Sequence, residues 1–401
     1  MTAKRISASD LQASIDSREL LNLASRMIRI PSPFNHEERI SRFILQTLDR
    51  WGLAPRTVEV PGCGPNVIAE TGPSGAPSLV FNGHMDTVEV AQGWKHDPFC
   101  AEVEKGRLYG LGSLDMKAGL AGLMLAFRTV AEQRLARGMY LKLQAVSGEE
   151  LNGVGTRTLT EGGHFKRARG VVVGEGFGGL KVVTNGRRGG YYYDIHVHGK
   201  AAHGALPEMG ISAVVDASRI VCAVDRMKMA SAPRLVSEDQ RPLRETQIVQ
   251  RMSGGTYSLS VPDYCMVRVV RSVVPRRRND PGREIARVID KLRLRSHVRV
   301  ELDERPGEIY EPYLTPVHCD LVKVAKDAIR EVTGSIPKLV CGVSEADDNI
   351  ISECTGVPVI CVGPGEIGEL AKYHQAEESV EVAQLKPACE TYCRIAMGMA
   401  R

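Results

Sequence analysis

The first half of the chain contains three short apolar runs, each of which ends close to a glycine. Each run is apolar or β-branched and reaches a glycine within two residues: 79–81, 139–146 and 171–173. This pattern is typical of buried strands. Between the first two runs, apolar residues recur at the spacing of one helix face: Leu120, Leu123, Met124 and Phe127. Strands that alternate with helices predict an α/β domain with a largely parallel sheet.

The middle of the chain is patterned differently. Residues 191–197 and 264–274 are patterned as strands, and residues 211–224 as a helix. A second helix is expected to begin at Pro281, because proline is favoured in the first helical turn. The succession predicts a small α+β domain. Beyond Leu302 the earlier pattern returns, with a helix at 319–332, a strand at 357–362 and a closing helix from Val382.

These changes predict a discontinuous main domain with an insertion. We expect residues 1–184 and 306–401 to form the main domain and residues 185–305 to form the inserted one. A length of 401 residues also favours two domains over one.

Composition narrows the class of protein. The hydrophobic fraction of 43% and the charged fraction of 25% are typical of a soluble globular protein. The apolar stretch at 119–127 is far shorter than the roughly 20 residues that cross a bilayer, so no membrane partner is expected. A net charge of +4 is small, and the arginines of residues 271–299 are read as a solvated face, so no nucleic acid is expected. With no visible secretion signal and no Cys-x-x-Cys pair, the ten cysteines indicate reduced thiols in a cytoplasmic protein.

Residues that can bind a metal follow the predicted strands. His84 and Asp86 come after the first run and point to the same side of an extended segment, so the aspartate can support the imidazole. Asp115 precedes the helix, where it can either cap the helix or bridge two cations. Ligands gather at the carboxyl ends of strands in open α/β sheets. A polar loop remains the alternative for His84 and Asp86.

Further acidic residues and a second histidine extend this set. Glu149 and Glu150 follow the second run, and Glu175 lies between glycines after the third. His374 follows the last predicted strand. Taken singly, each could be a solvated loop residue. Together, two histidines and three carboxylates form a nitrogen and oxygen ligand set that suits zinc, cobalt or manganese. Of the adjacent acids Glu149 and Glu150, one could bind metal while the other serves as acid and base.

The chain resembles the metallopeptidase M20 family over nearly its whole length. The resemblance rests on ordered motifs: Gly83-His84-Met85-Asp86, Trp94 with Asp97-Pro98-Phe99, Leu108-Tyr109-Gly110-Leu111-Gly112, Asp115-Met116-Lys117, Glu149-Glu150, Gly174-Glu175, Gly199-Lys200-Ala201-Ala202-His203 and His374. It implies a three-layer α/β catalytic domain that binds two zinc ions. It also implies that the inserted α+β domain is a lid that forms a homodimer.

The resemblance implies a role for each matching residue. His84 and Glu175 would hold one zinc, Glu150 and His374 the other, and Asp115 would bridge them; Co²⁺ or Mn²⁺ could replace zinc. Glu149 would be the general base, and Asp86 would orient His84. From the lid, His203 would reach the partner's site and stabilise the oxyanion, while Arg271 would bind a substrate carboxylate.

Two positions depart from the family pattern. Leu259 stands where an asparagine that contacts substrate is usual, which puts the usual substrate pose in question. Arg187-Arg188 stands where a single basic residue before glycine is commoner, and the sequence offers no explanation for the pair.

The resemblance implies an amidohydrolase that removes the acyl group from an N-acyl amino acid. Gly110-Leu111-Gly112, Ser344-Glu345-Ala346 and His374-Gln375 are similar to acetylornithine deacetylases. A dipeptidase, a carboxypeptidase or a succinyl-diaminopimelate desuccinylase is the alternative, since all would act on the same kind of amide. A metal-stabilised binding protein without activity is a third hypothesis, supported only by Leu259.

Overall fold

The computed structural model describes residues 8–400 except 177, 239, 257–258, 278, 306, 308 and 369–371. The α-helices of the described chain are α1 Ala8–Ser14, α2 Ser17–Ile28, α3 Glu38–Arg50, α4 Ala118–Glu132, α5 Val154–Glu161, α6 Ala213–Asp225, α7 Pro281–Asp290, α8 Asp320–Thr333, α9 Asp347–Thr355 and α10 Val382–Met399. None of these helices is long and apolar enough to cross a membrane.

The first strands are β1 Arg56–Val58, β2 Asn66–Thr71, β3 Ser78–His84, β4 Val103–Glu104, β5 Arg107–Tyr109, β6 Tyr140–Val146, β7 Ala168–Val173, β8 Val182–Arg187, β9 Gly189–His198 and β10 Ser231–Val236. The later strands are β11 Pro242–Arg244, β12 Thr246–Gly254, β13 Tyr264–Val273, β14 His297–Leu302, β15 Ile309–Tyr310, β16 Tyr313–Leu314, β17 Lys338–Gly342, β18 Val359–Cys361 and β19 Ser379–Glu381.

A nine-stranded sheet organises the larger part of the molecule. Its order is β1-β2-β6-β3-β7-β18-β8-β16, with β17 paired to β8. The central strands β6, β3, β7 and β18 run parallel, while the flanking pairs β1–β2, β2–β6, β18–β8 and β8–β16 are antiparallel. The prediction of a largely parallel sheet is thus confirmed for the centre, where both faces are buried, and antiparallel strands are added at the flanks.

Helices cover both faces of this sheet. Leu79 and Phe81 of β3 join a core that includes residues of α2, α4, α8 and α10, whereas Val80 joins a core on the other face with α5 and α9. Alternate residues of a strand point to opposite faces, and both faces of β3 are apolar because both are covered. This arrangement confirms the predicted α/β fold with helical layers on both sides.

A second, antiparallel sheet, which we call the small sheet, has the order β12-β13-β9-β14, with β15 also paired to β9. Helices α6 and α7 pack on one of its faces, where Ile195, Val267 and Ile285 are fully buried. The chain leaves the nine-stranded sheet after Arg187 and rejoins it at Tyr313. An inserted α+β unit is therefore present, while the domain boundaries at residues 185 and 305 stay predictions.

Candidate metal centre

The candidate ligands follow neighbouring parallel strands. His84 is the last residue of β3, Glu149 and Glu150 come shortly after β6, and Glu175 lies two residues beyond β7. Because the three strands are parallel and adjacent, their carboxyl ends meet at one edge of the sheet. His374 is brought to the same edge by the segment that follows β18.

Asp115 lies in an irregular turn rather than at a helix cap. The turn spans Ser113–Lys117, and α4 begins only at Ala118. The carboxylate of Glu378 accepts hydrogen bonds from the N–H groups of Gly112, Leu114 and Asp115 at 2.9, 2.7 and 3.0 Å. Glu378 thus fixes the turn from a distant part of the chain. The sequence analysis missed this residue; its position beside Glu377, shortly after His374, was the available signal.

The two oxygens of Asp115 face two different histidines. Its Oδ1 is 2.9 Å from Nε2 of His84, and its Oδ2 is 3.4 Å from Nε2 of His374. His374 Nε2 also lies 3.0 Å from Oε2 of Glu150. The donor atoms form two groups, and within each group they lie within 4.8 Å of one another. One group comes from His84, Glu149 and Glu150, and the other from Asp115, Glu150 and His374.

Asp86 supports the site from behind. Nδ1 of His84 lies 3.1 Å from the backbone carbonyl oxygen of Asp86 and 3.7 Å from its Oδ1. An acceptor at Nδ1 keeps the proton there and leaves Nε2 free for a ligand. The Asp86 carboxylate itself accepts the N–H of Glu150 at 3.0 Å, so it also positions the acidic pair.

Glu175 is buried at the same edge but belongs to neither group of donor atoms. Its Oε2 accepts a hydrogen bond from Nη2 of Arg187 at 3.2 Å. Arg187 is fully buried and also donates from Nε to the carboxylate of Asp348 at 2.8 Å. The structure thereby explains the first arginine of the Arg187-Arg188 pair. The second, Arg188, donates to the carbonyl oxygens of Val343 and Arg244.

Burial and mutual contacts shift the pKa values of the carboxylates and histidines at this edge. Burial raises the pKa of Glu175 to about 8 and the pKa of Glu149 well above its usual value. Hydrogen bonds to Asp115 and Glu150 raise the pKa of His374 to about 11. Burial opposes protonation of His84, but the carboxylates of Asp115 and Glu149 outweigh it and raise its pKa. Protonated histidines would therefore balance the negative charge of the carboxylates, a role that bound cations could also take.

A cavity of about 450 Å³ opens onto these residues. Its described lining includes the predicted Asp115, Glu149, Glu150, Glu175 and His374. The remaining lining was not predicted as part of the site: Leu151, Tyr192, Gly307, Tyr310, Ser344, Glu345 and Tyr373. Tyr192 comes from the small sheet, so both sheets contribute to the cavity wall.

Arg271 is not part of the described lining of the cavity, and its role as a substrate ligand stays a prediction. On β13 it follows the same alternation as Val267 and Val269, and it therefore points to the face that carries α6 and α7. Its Nη2 donates to Glu245 at 2.8 Å and to Glu284 of α7 at 3.1 Å. The sequence showed the guanidinium but not the strand face on which it lies.

His203 also lies away from the cavity of its own chain. It forms an isolated bridge with Ser260, and its Nδ1 accepts the N–H of Ala205 at 3.1 Å. Beside it, the carbonyl oxygen of Leu259 accepts the N–H of Gly204 at 2.9 Å, and the Leu259 side chain is 75% exposed. The two residues thus share one surface of the inserted unit.

The chain is similar in sequence to known proteins. Residues 80–398 match the family model described as peptidase family M20/M25/M40. A probable succinyl-diaminopimelate desuccinylase of Staphylococcus epidermidis is 27% identical over 202 residues, 50% of this chain and 49% of that protein. The chain therefore spans about half the length of the first curated relatives that it matches. A succinyl-diaminopimelate desuccinylase of Acinetobacter baumannii is 27% identical over 387 residues, 94% of this chain and 97% of that protein.

The chain also has the fold of a solved structure. A tripeptidase from Staphylococcus aureus superposes with a TM-score of 0.77 at 21% identity, covering 97% of this chain and 100% of that one. At this level of identity the likeness establishes the fold. The match of the family model over residues 80–398 confirms the family that the ordered motifs indicated, and the chain belongs to peptidase family M20/M25/M40.

Proposed function

We propose that the protein is a metal-dependent amidohydrolase that cleaves the amide bond of a small N-acyl amino acid. The observation that supports it best is the position of Asp115, whose two oxygens face His84 and His374 on opposite sides. A carboxylate in this position can bridge two cations, with one oxygen for each.

The residues present fit two divalent cations. His84 and Glu175 would hold one, Glu150 and His374 the other, and Asp115 would be shared, with zinc the expected metal and cobalt or manganese possible replacements. All donors are nitrogen or oxygen, which suits these metals. Burial raises the pKa of Glu175 to about 8 despite its contact with Arg187, and a carboxylate buried in this way favours a neighbouring cation.

Two such cations, when bound, would polarise the substrate carbonyl and lower the pKa of water. Glu149 is placed to take a proton from the attacking water, because it lines the cavity and stands next to Glu150. The same carboxyl group would then return that proton to the leaving amine. Asp86 would hold His84 and the N–H of Glu150 in place during the reaction.

The oxyanion would be stabilised by His203 from a second copy of the chain. Within one chain His203 does not line the cavity, so this role requires a homodimer. Exposed apolar side chains surround it on the inserted unit: Leu206, Met209, Val215 and Leu259. Such a surface is typical of a protein–protein contact.

A peptidase on the same site is the second candidate. The tripeptidase that shares this fold supports it, and a peptide and an N-acyl amino acid offer the same amide. A carboxypeptidase substrate and an N-acyl amino acid both carry a free carboxylate beside the amide, and the described cavity lining contains neither lysine nor arginine. The lining therefore does not separate a carboxypeptidase from a deacylase, and the substrate panel below has to do so.

The proposal is tested with purified protein loaded with zinc or cobalt and a panel of acetyl-, succinyl- and peptidyl-amino acids. We expect metal-dependent release of a free amino acid from at least one compound, including N-acetylornithine, and loss of that activity after chelation. No hydrolysis across the panel by fully loaded protein would leave the inactive binding protein as the better hypothesis.

A further inference from the structure

One acidic residue in the cavity is left over by the proposed metal centre. Glu345 lines the cavity together with Asp115, Glu149, Glu150 and Glu175. The two proposed cations would lie beside these other four carboxylates, whereas Glu345 is left without a metal. The described lining holds no lysine or arginine, and Arg188, which is not part of the lining, is the cation whose charge acts on Glu345.

The carboxylate of Glu345 is held by the small sheet. Its Oε1 accepts a hydrogen bond from the hydroxyl group of Ser272 on β13 at 3.0 Å. Gly190 lies directly opposite Ser272 on β9, and a Cβ atom there would approach Oε1 of Glu345 to 2.8 Å. The absence of a side chain at Gly190 therefore makes room for this carboxylate.

Nearby arginines do not neutralise Glu345 by direct contact. Arg188 is close enough for the charge of Glu345 to act on it, but its guanidinium donates to the carbonyl oxygens of Val343 and Arg244. Arg268 lies 5.4 Å over the ring of Tyr192 and forms its ion pairs with Asp194 and Asp303.

Three tyrosines complete the wall around Glu345: Tyr192, Tyr310 and Tyr373. Arginines already lie over two of these rings, Arg268 over Tyr192 and Arg157 over Tyr310, so the preference rests on the carboxylate. A carboxylate forms its strongest hydrogen bonds with a charged donor. The cavity wall beyond the metal ligands thus favours a positive group on the substrate.

From this arrangement we infer that Glu345 is a specificity-determining residue that binds a primary ammonium group of the substrate. The inference rests on the proposed function and narrows its substrate class. Two kinds of compound carry that group: an N-acyl diamino acid with a side-chain ammonium, and a short peptide with a free α-ammonium. An acyl group that ends in a carboxylate, such as succinyl, is disfavoured by the same charge.

The test compares isosteric substrates in zinc-loaded protein. N-acetylornithine is paired with N-acetylnorleucine, and trialanine is paired with 2-methylpropanoyl-dialanine; in each pair a methyl group replaces the ammonium. We expect a kcat/KM ratio of about ten- to a hundredfold in favour of the ammonium in one pair, the worth of one hydrogen bond between charged groups. The pair that shows the ratio identifies the source of the ammonium. N-succinylnorleucine should react more slowly than N-acetylnorleucine.

The Glu345→Gln variant tests the residue itself. Glutamine keeps an Oε1 acceptor for Ser272 but removes the charge, so the ratio should fall to near unity. Asp327→Asn is the matched control, because Asp327 is exposed on α8 and pairs with Arg330 of the same helix. An equal ratio in the wild-type protein and E345Q, or a ratio near unity in both wild-type pairs, would overturn the inference.

Failure of the proposed function gives a different result. If neither member of either pair is hydrolysed, calorimetric binding of the same two pairs of compounds reads the ammonium site alone. Tighter binding of the ammonium compound in one pair, lost in E345Q, would support the inference without the reaction. Equal affinities within both pairs would overturn it.

Discussion

Arg187 donates a hydrogen bond from Nη2 to Oε2 of Glu175 across 3.2 Å, with both side chains buried. The same guanidinium contacts Asp348, whose carboxylate also accepts the hydroxyl group of Tyr313 at 2.7 Å. One buried arginine therefore compensates two buried carboxylates and fixes the direction of Glu175.

Replacing Arg187 should be costly for stability. In R187M two buried carboxylates lose their cation, and the free energy of unfolding should fall by about 3–5 kcal/mol. Denaturant titration of the metal-free protein measures this change. Arg169→Met is the matched control, because the Arg169–Asp320 pair is exposed and should contribute about 1 kcal/mol or less. A loss in R187M no larger than in R169M would show that Arg187 is not needed to hold the pair.

Removing the general base should separate chemistry from metal binding. Glu149→Ala should lower kcat at least about a hundredfold, the typical contribution of a general base, while the metal content stays that of the wild-type protein. Elemental analysis and steady-state kinetics on the same preparation make the comparison. Glu161→Ala, an exposed change on α5, is the control. Wild-type rates in E149A would remove Glu149 from the mechanism.

Changing the shared carboxylate should affect both cations. Because each oxygen of Asp115 faces a different histidine, D115A should lose both metals after dialysis, whereas E175A should lose only one. Metal analysis after equal dialysis distinguishes the two outcomes. Retention of one metal by D115A would show that the aspartate is not shared.

Mixing two inactive variants should restore activity if His203 acts across a dimer. Subunits with E149A supply an intact His203, and subunits with H203A supply an intact Glu149. A mixed dimer then contains one site with both residues. We expect each variant alone to be impaired and the mixture to regain activity after subunit exchange. An inactive mixture that contains mixed dimers, or a monomer by light scattering, would contradict this role.

The stability of the protein should decrease as pH rises, because one buried glutamate has a raised pKa. Glu238 is buried, its carboxylate oxygens have no hydrogen-bond partner among the described residues, and burial raises its pKa to about 7. Between its unfolded pKa and this value, the folded state holds a proton that the unfolded state has lost. The free energy of unfolding therefore falls as pH rises through this window.

Relative to Glu238→Gln, the wild-type protein should lose up to about 3 kcal/mol of stability between pH 5 and pH 8. Denaturant unfolding at several pH values measures this difference. Glu59→Gln, at an exposed position, is the control and should show no comparable dependence. A difference between wild type and E238Q that stays constant with pH would contradict the assigned cause.

Local pattern was sufficient for the strands that carry the site. The apolar run before Gly83 became β3, and His84 stands at its end as predicted. Helices α4 and α7 begin at Ala118 and Pro281, close to or at the predicted positions. These features depend on neighbours in sequence, and strand ends in a parallel centre meet by geometry.

Contacts between segments that are separated in sequence could not be predicted from local pattern. Glu378 holds the turn of Asp115 and Ser272 holds Glu345, each across a wide separation in sequence, and Arg187 holds Glu175 from a different strand. Arg271 shows the limit most directly, because a strand face is set by register and by what packs against it.

By itself, the sequence determined the alternation of strands and helices, the inserted unit and the residues that can bind metal, because periodicity and donor chemistry are local properties. Only the tertiary structure decided which side chains share the cavity. That choice depends on strand pairing and on the compensation of buried charge, which placed Arg271 among glutamates near α7 and left Glu345 in the cavity wall.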